Sequence, residues 1–166
     1  MNALRSIVIT LLAAALCWLA VGAEPAEPAA PSIQGSYVLD FRELPDGTKV
    51  RSPEVIGMMT LTKDHRNFNV YWTDNGKPVS ISTISTYSLS ATEFTEESLY
   101  YADNGVAGKG PNYETKPVSG KAPVTVNGDK IEFQLPLHGE PKVVFDKNGL
   151  TATRAGAFVD HWKKVE

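Results

Sequence analysis

The three histidines are the side chains of this sequence that come closest to catalytic or metal-binding chemistry. His65, His138 and His161 are too far apart for a local metal motif, and the first two fall in stretches that favour turns. We interpret each as an exposed surface residue unless the fold brings them together. His161 follows Asp160, but neighbouring residues of a strand point to opposite faces, so this pair is not expected to act as a catalytic dyad.

Other catalytic signatures give no positive signal. The sequence contains no Gly-x-Ser-x-Gly motif and no carboxylate pair at a characteristic spacing. Its single cysteine, Cys17, lies in an N-terminal apolar run. A chain that has lost this run has no thiolate nucleophile, disulfide or cysteine metal site. We therefore predict no catalytic residue, no metal site and no cofactor, and enzyme activity has no positive support in the sequence.

The first 23 residues have the pattern of a secretory signal peptide. Arg5 precedes an apolar run over residues 7–19, which is shorter than the roughly 20 residues of a membrane-spanning helix. Residues 21–23 are small, as a signal peptidase requires, whereas Leu16 stands where a lipid-attachment box needs a small residue. We predict cleavage after Ala23 and a periplasmic or secreted location without an integral membrane span. An uncleaved anchor is the alternative.

The exported chain is predicted to be one domain with an acidic charge balance. Removal of 23 residues leaves 143, in which residues 24–32 form a linker rich in proline and alanine and residues 33–166 form the folded domain. Loss of Arg5 leaves 15 basic against 19 acidic side chains, and no lysine-arginine cluster occurs. This balance argues against nucleic acid or an anionic membrane as a partner. The oligomeric state is not indicated.

Alternating hydrophobicity predicts antiparallel sheet in the second quarter of the chain. Residues 55–62, 68–72 and 79–89 read as three successive strands, because apolar side chains recur there with a period of two. Asn75 and Gly76 lie between the second and the third. They accept the positive φ angles of a type I′ hairpin turn, so these two strands are predicted to form a hairpin.

The remaining segments continue this pattern. In the first strand Tyr37, Leu39 and Phe41 are predicted to share one face. Residues 93–102 favour a strand over a short helix because of their aromatic and threonine content. The Pro45-Asp46-Gly47, Asn127-Gly128 and Asn148-Gly149 segments mark further turns between short strands.

The Gly-rich segment 103–112 resembles a phosphate-binding loop only superficially. A phosphate loop opens a helix and carries a Lys-Ser/Thr pair, whereas Pro111 and Tyr113 follow here without a helical pattern. We interpret the segment as a long loop at the rim of a sheet, with a lid over an opening as one role for it.

The pattern as a whole predicts an all-β fold, an antiparallel up-and-down β-barrel of about eight to ten strands. A β-sandwich is the alternative, but it usually needs Greek-key connections, and the successive hairpins favour the barrel. Closure also removes the exposed strand edges of an exported protein that lacks disulfides. The interior of such a barrel is either filled with side chains or holds one small ligand.

Short motifs resemble those of bacterial lipocalin-like domains, which are calycin-type barrels. Gly35-Ser36-Tyr37 is similar to their Gly-x-Trp/Tyr start, residues 56–62 resemble a Gly-centred early strand, and Trp162-Lys163 lies in a similar closing strand. The resemblance covers most of residues 33–166, with Tyr in place of the more usual Trp and without the cysteines of secreted animal members. It implies an apolar pocket at one mouth and a basic residue packed across Tyr37, supplied by Arg154, Lys163 or Lys164.

An inward belt of aromatic and apolar side chains is either packed core or the lining of a ligand pocket. Arg154 and Asp160 alternate with apolar neighbours, so we expect them to form an ion pair at a barrel end if both point inward. A solvent-exposed arrangement is the alternative. The candidate ligand-binding residues are Tyr37, Phe41, Met59, Phe68, Trp72, Tyr87, Arg154 and Trp162.

Three functions remain open at the level of sequence. The first is an exported lipocalin-like protein that binds or carries a small apolar or amphipathic molecule. The second is a small-barrel enzyme of isomerase or cyclase type acting on a lipid-like substrate. The third is a filled barrel with a structural or protein-interaction role. An open cavity favours the first two, and convergent titratable groups inside it favour the enzyme.

Overall fold

The computed structural model describes residues 31–104 and 110–165. In these residues the chain forms β-strands and no helix, so none of them is in a helix that could cross a membrane. The predicted signal peptide, most of the predicted linker and residues 105–109 of the Gly-rich segment lie outside the described residues. The strands are β1 (Gly35–Glu43), β2 (Lys49–Val50), β3 (Val55–Leu61), β4 (His65–Asp74), β5 (Lys77–Leu89), β6 (Glu93–Asp103), β7 (Asn112–Glu114), β8 (Val118–Asn127), β9 (Lys130–Gln134), β10 (Lys142–Asp146), β11 (Gly149–Arg154) and β12 (Phe158–Lys164).

The strands form a closed antiparallel barrel of ten strands. Each long strand pairs with the next one along the chain, and β1 pairs with β12, which closes the sheet. The short strand β2 pairs with the end of β1, and the short strand β7 pairs with the end of β6. The predicted up-and-down barrel and the predicted strand at residues 93–102 are therefore confirmed.

The residues within the tight turns determine the conformations of those turns. Asn75 and Gly76 have φ angles of 49° and 75°, as the predicted type I′ turn between β4 and β5 requires. In the next Asn-Gly hairpin Asn127 still pairs with Lys130, so Gly128, with φ of 62°, occupies the first corner. Glycine tolerates this left-handed conformation because it has no Cβ atom.

One half of the barrel is filled by stacked aromatic rings. The ring centroids of Phe94 and Phe133 lie 4.3 Å apart, and Tyr87 and Phe145 extend the stack at 5.7 and 5.9 Å. The Tyr37 hydroxyl donates a hydrogen bond of 2.8 Å to the carbonyl oxygen of Ile33. Burying one such side chain contributes about 1.5–3 kcal/mol, so this half supplies much of the stability of a barrel without disulfides.

A β-bulge in β1 changes which side chains point inward. The register against β12 shifts between Leu39 and Phe41, and Arg42 is buried. Phe41 instead stacks on His161 with centroids 4.2 Å apart. The prediction that Phe41 shares the inward face of Tyr37 and Leu39 is therefore wrong, because a bulge adds one residue and re-aims the strand that follows.

Candidate functional site

The second half of the barrel contains a cavity of about 100 Å³. It lies toward the end of the barrel where β1 ends and β12 begins, below the β9–β10 and β11–β12 connections. Most of its walls are apolar or aromatic, and its polar groups include arginines and carboxylates. The lining residues are Arg42, Met59, Arg66, Phe68, Val70, Trp72, Ile81, Tyr101, Leu135, His138, Gly139, Glu140, Pro141, Val143, Leu150, Ala152, Arg154, Phe158, Asp160 and Trp162.

The structure brings together five of the eight candidate ligand-binding residues. Met59, Phe68, Trp72, Arg154 and Trp162 line the cavity. They come from four different strands, whose shared inward face follows from the two-residue period.

The other three candidates lie elsewhere. Tyr37 and Tyr87 are buried in the filled half of the barrel, and Phe41 lies on the outside beside His161. None of these three lines the cavity. Ligand binding by any of the eight residues stays a prediction.

A buried ion pair joins Arg42 and Asp160 across the closing strands. Arg42 donates from Nε to Asp160 Oδ1 at 2.6 Å and from its second terminal nitrogen to Oδ2 at 2.8 Å. The guanidinium carbon also lies 4.0 Å from the ring centroid of Phe158 and 5.0 Å from that of Trp72. Two parallel hydrogen bonds and two aromatic faces thus compensate for the loss of water around both charges.

The hypothesis that Asp160 pairs with Arg154 is wrong. Asp160 points inward, and its partner is Arg42. The two residues are directly opposite in the β1–β12 register, and the bulge turns Arg42 inward. Arg154 is exposed, at the rim of the cavity.

A second buried arginine contacts two carboxylates. Arg66 donates to Glu96 at 2.7 Å and also contacts Glu140, while Ser85 Oγ donates to Glu96 at 2.6 Å. Burial alone would lower the pKa of Arg66, but attraction by Glu140 and Glu96 outweighs burial and raises that pKa above its ordinary value. Arg66 is therefore a permanent cation beside two carboxylates.

Tyr101 and His138 form a stacked pair at another side of the cavity. Their ring centroids lie 3.9 Å apart, and Nδ1 of His138 is 3.7 Å from a Glu114 oxygen. Burial, followed by the charges of Asp103 and Glu140, raises the pKa of Tyr101 to about 12. The phenol is therefore neutral, and able to donate a hydrogen bond, at neutral pH.

The interpretation of His138 as a surface residue is wrong, although its position in a turn is confirmed. Its side chain is only 10% exposed, because the β9–β10 connection folds over the end of the barrel. His65 is exposed, as predicted, and contacts Asp64. Across residues 31–104 and 110–165, no three His, Cys, Asp or Glu side chains form a group that could hold a metal ion.

Several buried polar atoms in and around the cavity have no hydrogen-bond partner among the described residues. In the lining these are Arg66 Nε, Trp162 Nε1 and His138 Nε2, and next to it Glu96 Oε2. Buried polar groups are normally paired, so unpaired ones on residues that line a cavity mark side chains that can bind a polar group.

Gly57 determines where the Trp162 ring lies. A Cβ atom at position 57 would be 2.5 Å from the ring carbon Cη2 of Trp162 and 3.2 Å from Leu39. Only glycine leaves room for the indole to lie against the backbone of β3.

The basic residue that the family resemblance implies beside Tyr37 is Lys164. Its Nζ lies 5.8 Å from the Tyr37 ring centroid and donates a hydrogen bond of 2.6 Å to the carbonyl oxygen of Gln34. Tyr37 and Lys164 are opposite each other in the closing pair of strands. This contact therefore ties the first strand to the last.

Comparison with known proteins adds nothing to this geometry. No family model matches this chain. No curated protein and no solved structure matches it either. The barrel and its cavity therefore stand on the chain's own residues.

Sequence reasoning missed part of the site, although some of it was visible. Arg66 is an even number of residues from Phe68 and Trp72, so it lies on the same face of the strand. Its inward direction could have been found by extending the predicted strand by two residues. Glu96 likewise shares the face of Phe94. The bulge that turns Arg42 inward has no comparable sequence signal.

Proposed function

We propose that this protein is an exported, lipocalin-like barrel that binds and carries a small apolar or amphipathic molecule. The observation that carries the proposal is the cavity, whose walls are mainly aromatic and aliphatic and whose charged groups include the buried Arg42, Arg66 and Asp160. Ligand sites usually combine an apolar lining with a small number of polar groups that orient the ligand. Export rests on the signal-peptide pattern of residues 1–23.

The size of the cavity limits the size of the ligand. Its volume is about 100 Å³, and a cavity of roughly 150 Å³ in another protein accommodates benzene. We therefore infer a compact molecule of at most one ring, or the terminal segment of a longer one that extends past the rim at Arg154.

Tryptophan fluorescence provides a direct test of binding. Trp72 and Trp162 both line the cavity, and Trp18 lies in the predicted signal peptide, so the emission of the exported chain reports only on the cavity. Cyclohexanol is a suitable probe because it is compact and does not absorb with indole. We expect saturable changes in emission, and Ala152→Leu should lower the affinity at least tenfold because leucine occupies the ligand volume.

The control is the same substitution at Ala122, which is buried but does not line the cavity. Ala122→Leu should keep the affinity and lose about 1–3 kcal/mol of stability through overpacking, whereas Ala152→Leu should lose less. Equal affinity in the wild type and in Ala152→Leu would contradict binding in this cavity. Native mass spectrometry of protein from its own cell envelope would then identify the natural ligand.

A second candidate is an enzyme of isomerase or cyclase type. The observation that favours it is the convergence of titratable groups on the cavity, with Glu140, His138 and Tyr101 on one side. The two candidates differ in the fate of the ligand. A carrier returns the bound molecule unchanged, whereas an enzyme releases an isomer of it, which chromatography of the recovered ligand distinguishes.

A further inference from the structure

Three arginines line the cavity and at first indicate a site for a carboxylate. Two of them are already neutralised, since Arg42 is held by both oxygens of Asp160 and Arg66 contacts both Glu96 and Glu140. The third arginine, at position 154, is exposed, so water and salt screen its charge.

The charge balance of the buried groups is unfavourable for another anion. Arg66 is one cation with two carboxylates as its neighbours, and its side chain is 2% exposed, so little water screens the excess negative charge. The electrostatic environment of Tyr101 includes Asp103 and Glu114 in addition to Glu140. A ligand carboxylate would therefore add a further negative charge to a region that already has more negative than positive groups.

The unpaired donors of the lining disfavour the opposite charge, even though the unpaired Glu96 Oε2 next to it can accept a hydrogen bond. Arg66 Nε and Trp162 Nε1 carry hydrogens and cannot accept, and both are buried without a partner among the described residues. They require an acceptor atom from whatever occupies the cavity. An ammonium group has only donors, so it would leave both N–H groups unpaired.

We propose that the cavity selects an uncharged molecule with a hydrogen-bond acceptor, such as an alcohol, a ketone or an amide. The acceptor oxygen takes hydrogen bonds from Arg66 Nε or Trp162 Nε1, and the apolar part of the molecule packs against Phe68 and Val70. Carboxylates of the same size are disfavoured by the charge balance, and ammonium ions by the two N–H groups that they leave unpaired. This inference rests on the proposed function, since it names the class of ligand for the same cavity.

Three probes with the same ring test the selection. They are cyclohexanecarboxamide, the nearly isosteric cyclohexanecarboxylate and cyclohexylmethylammonium, each titrated into the exported chain at pH 7 with tryptophan emission as the readout. We expect the carboxamide to bind at least tenfold more tightly than either charged probe. A carboxylate or an ammonium that binds as tightly as the carboxamide would overturn the inference while leaving the proposed function intact. If none of the three binds, the proposed function fails for molecules of this size, and the inference fails with it.

A charge variant tests the reason for the selection. Glu140→Gln keeps the shape of the side chain and leaves Arg66 with one carboxylate, so the preference for carboxamide over carboxylate should fall at least fivefold. Glu93→Gln is the matched control, because Glu93 pairs with Lys121 on the exposed surface, and its preference should equal that of the wild type. An unchanged preference in Glu140→Gln would refute the charge-balance argument. Thermal melting of both variants establishes that they fold.

Discussion

At the scale of single residues, the buried charges determine the chemistry in the half of the barrel that contains the cavity. Arg42 and Arg66 have side-chain exposures of 8% and 2%, and each contacts at least one carboxylate. A buried pair adds little net stability compared with apolar residues of similar volume, but the loss of one partner leaves an uncompensated charge in a medium of low polarity. The pairs therefore constrain the fold through the cost of separating them.

This asymmetry predicts the behaviour of Asp160 variants. Asp160→Ala leaves the Arg42 guanidinium buried without its carboxylate, and should lower the free energy of unfolding by about 3–5 kcal/mol. Replacing both members, as in Arg42→Leu with Asp160→Leu, should lose less than the single variant. Urea unfolding measures all three proteins.

An exposed pair provides the comparison. Glu93→Ala removes the partner of Lys121, whose side chain is 73% exposed, and should change stability by no more than about 1 kcal/mol. A loss at Asp160 as small as the loss at Glu93 would show that the buried charges reach water.

At the scale of elements, two irregularities in the strands shape the cavity. The bulge in β1 exchanges Phe41 for Arg42 on the inner face. Gly57 in β3 allows the Trp162 ring of β12 to lie close to the backbone. The bulge interrupts the regular alternation of inward and outward side chains, and the glycine leaves one position without a side chain. Without these two features, different residues would face the interior in this half of the barrel.

Gly57→Ala tests the second irregularity. The new Cβ atom would lie 2.5 Å from the indole, so the ring must move, and overpacking should cost about 1–3 kcal/mol. We expect a shifted tryptophan emission maximum together with a lower thermal midpoint. Gly110→Ala is the matched control because a Cβ there meets nothing within 4 Å. Identical spectra and midpoints for Gly57→Ala and the wild type would contradict this packing.

At the scale of the whole molecule, the closed barrel divides into a filled half and a cavity half. The filled half contains Tyr37 and Tyr87, and Tyr101 is buried beside the cavity. Burial is the largest cause that raises the pKa of each of these three phenols to about 12. Barrel closure produces this burial, because it removes the interior from water on every side.

The tyrosines predict how the fold fails in alkali. An unfolded chain releases phenolic protons near pH 10, whereas the folded barrel holds those of Tyr37, Tyr87 and Tyr101 up to about pH 12. The stabilisation that these raised pKa values provide is therefore fully present below pH 10 and is lost as the pH rises toward 12. The loss is at most about 3 kcal/mol for each phenol. Urea unfolding at intervals between pH 8 and 12 measures the decline.

A single substitution isolates the effect of one phenol. Tyr37→Phe has no ionisable group, so its stability should fall less steeply than that of the wild type above pH 10, while any loss of the Ile33 hydrogen bond appears already at pH 8. Parallel pH profiles for the two proteins would show that Tyr37 ionises equally in the folded and unfolded states.

The sequence by itself determined the strands, the hairpins and the closed architecture. These depend on local rules, since the two-residue period marks the strands and pairs such as Asn75-Gly76 mark the turns. Successive hairpins leave closure as the way to pair the outer edges. The same period placed Met59, Phe68, Trp72 and Trp162 correctly on the inner face.

Only the tertiary structure decided which charges meet inside the barrel. Arg42 and Asp160 are 118 positions apart, and Arg66 is 30 positions from Glu96 and 74 from Glu140. Their contacts depend on the register of closure and on the bulge, where a shift of one residue sends a side chain to the opposite face. Hydrophobic periodicity contains no information on such a shift, so the fold and the inward direction of Arg66 and Glu96 could be predicted, but the position of Arg42 and the pairing of the buried charges could not.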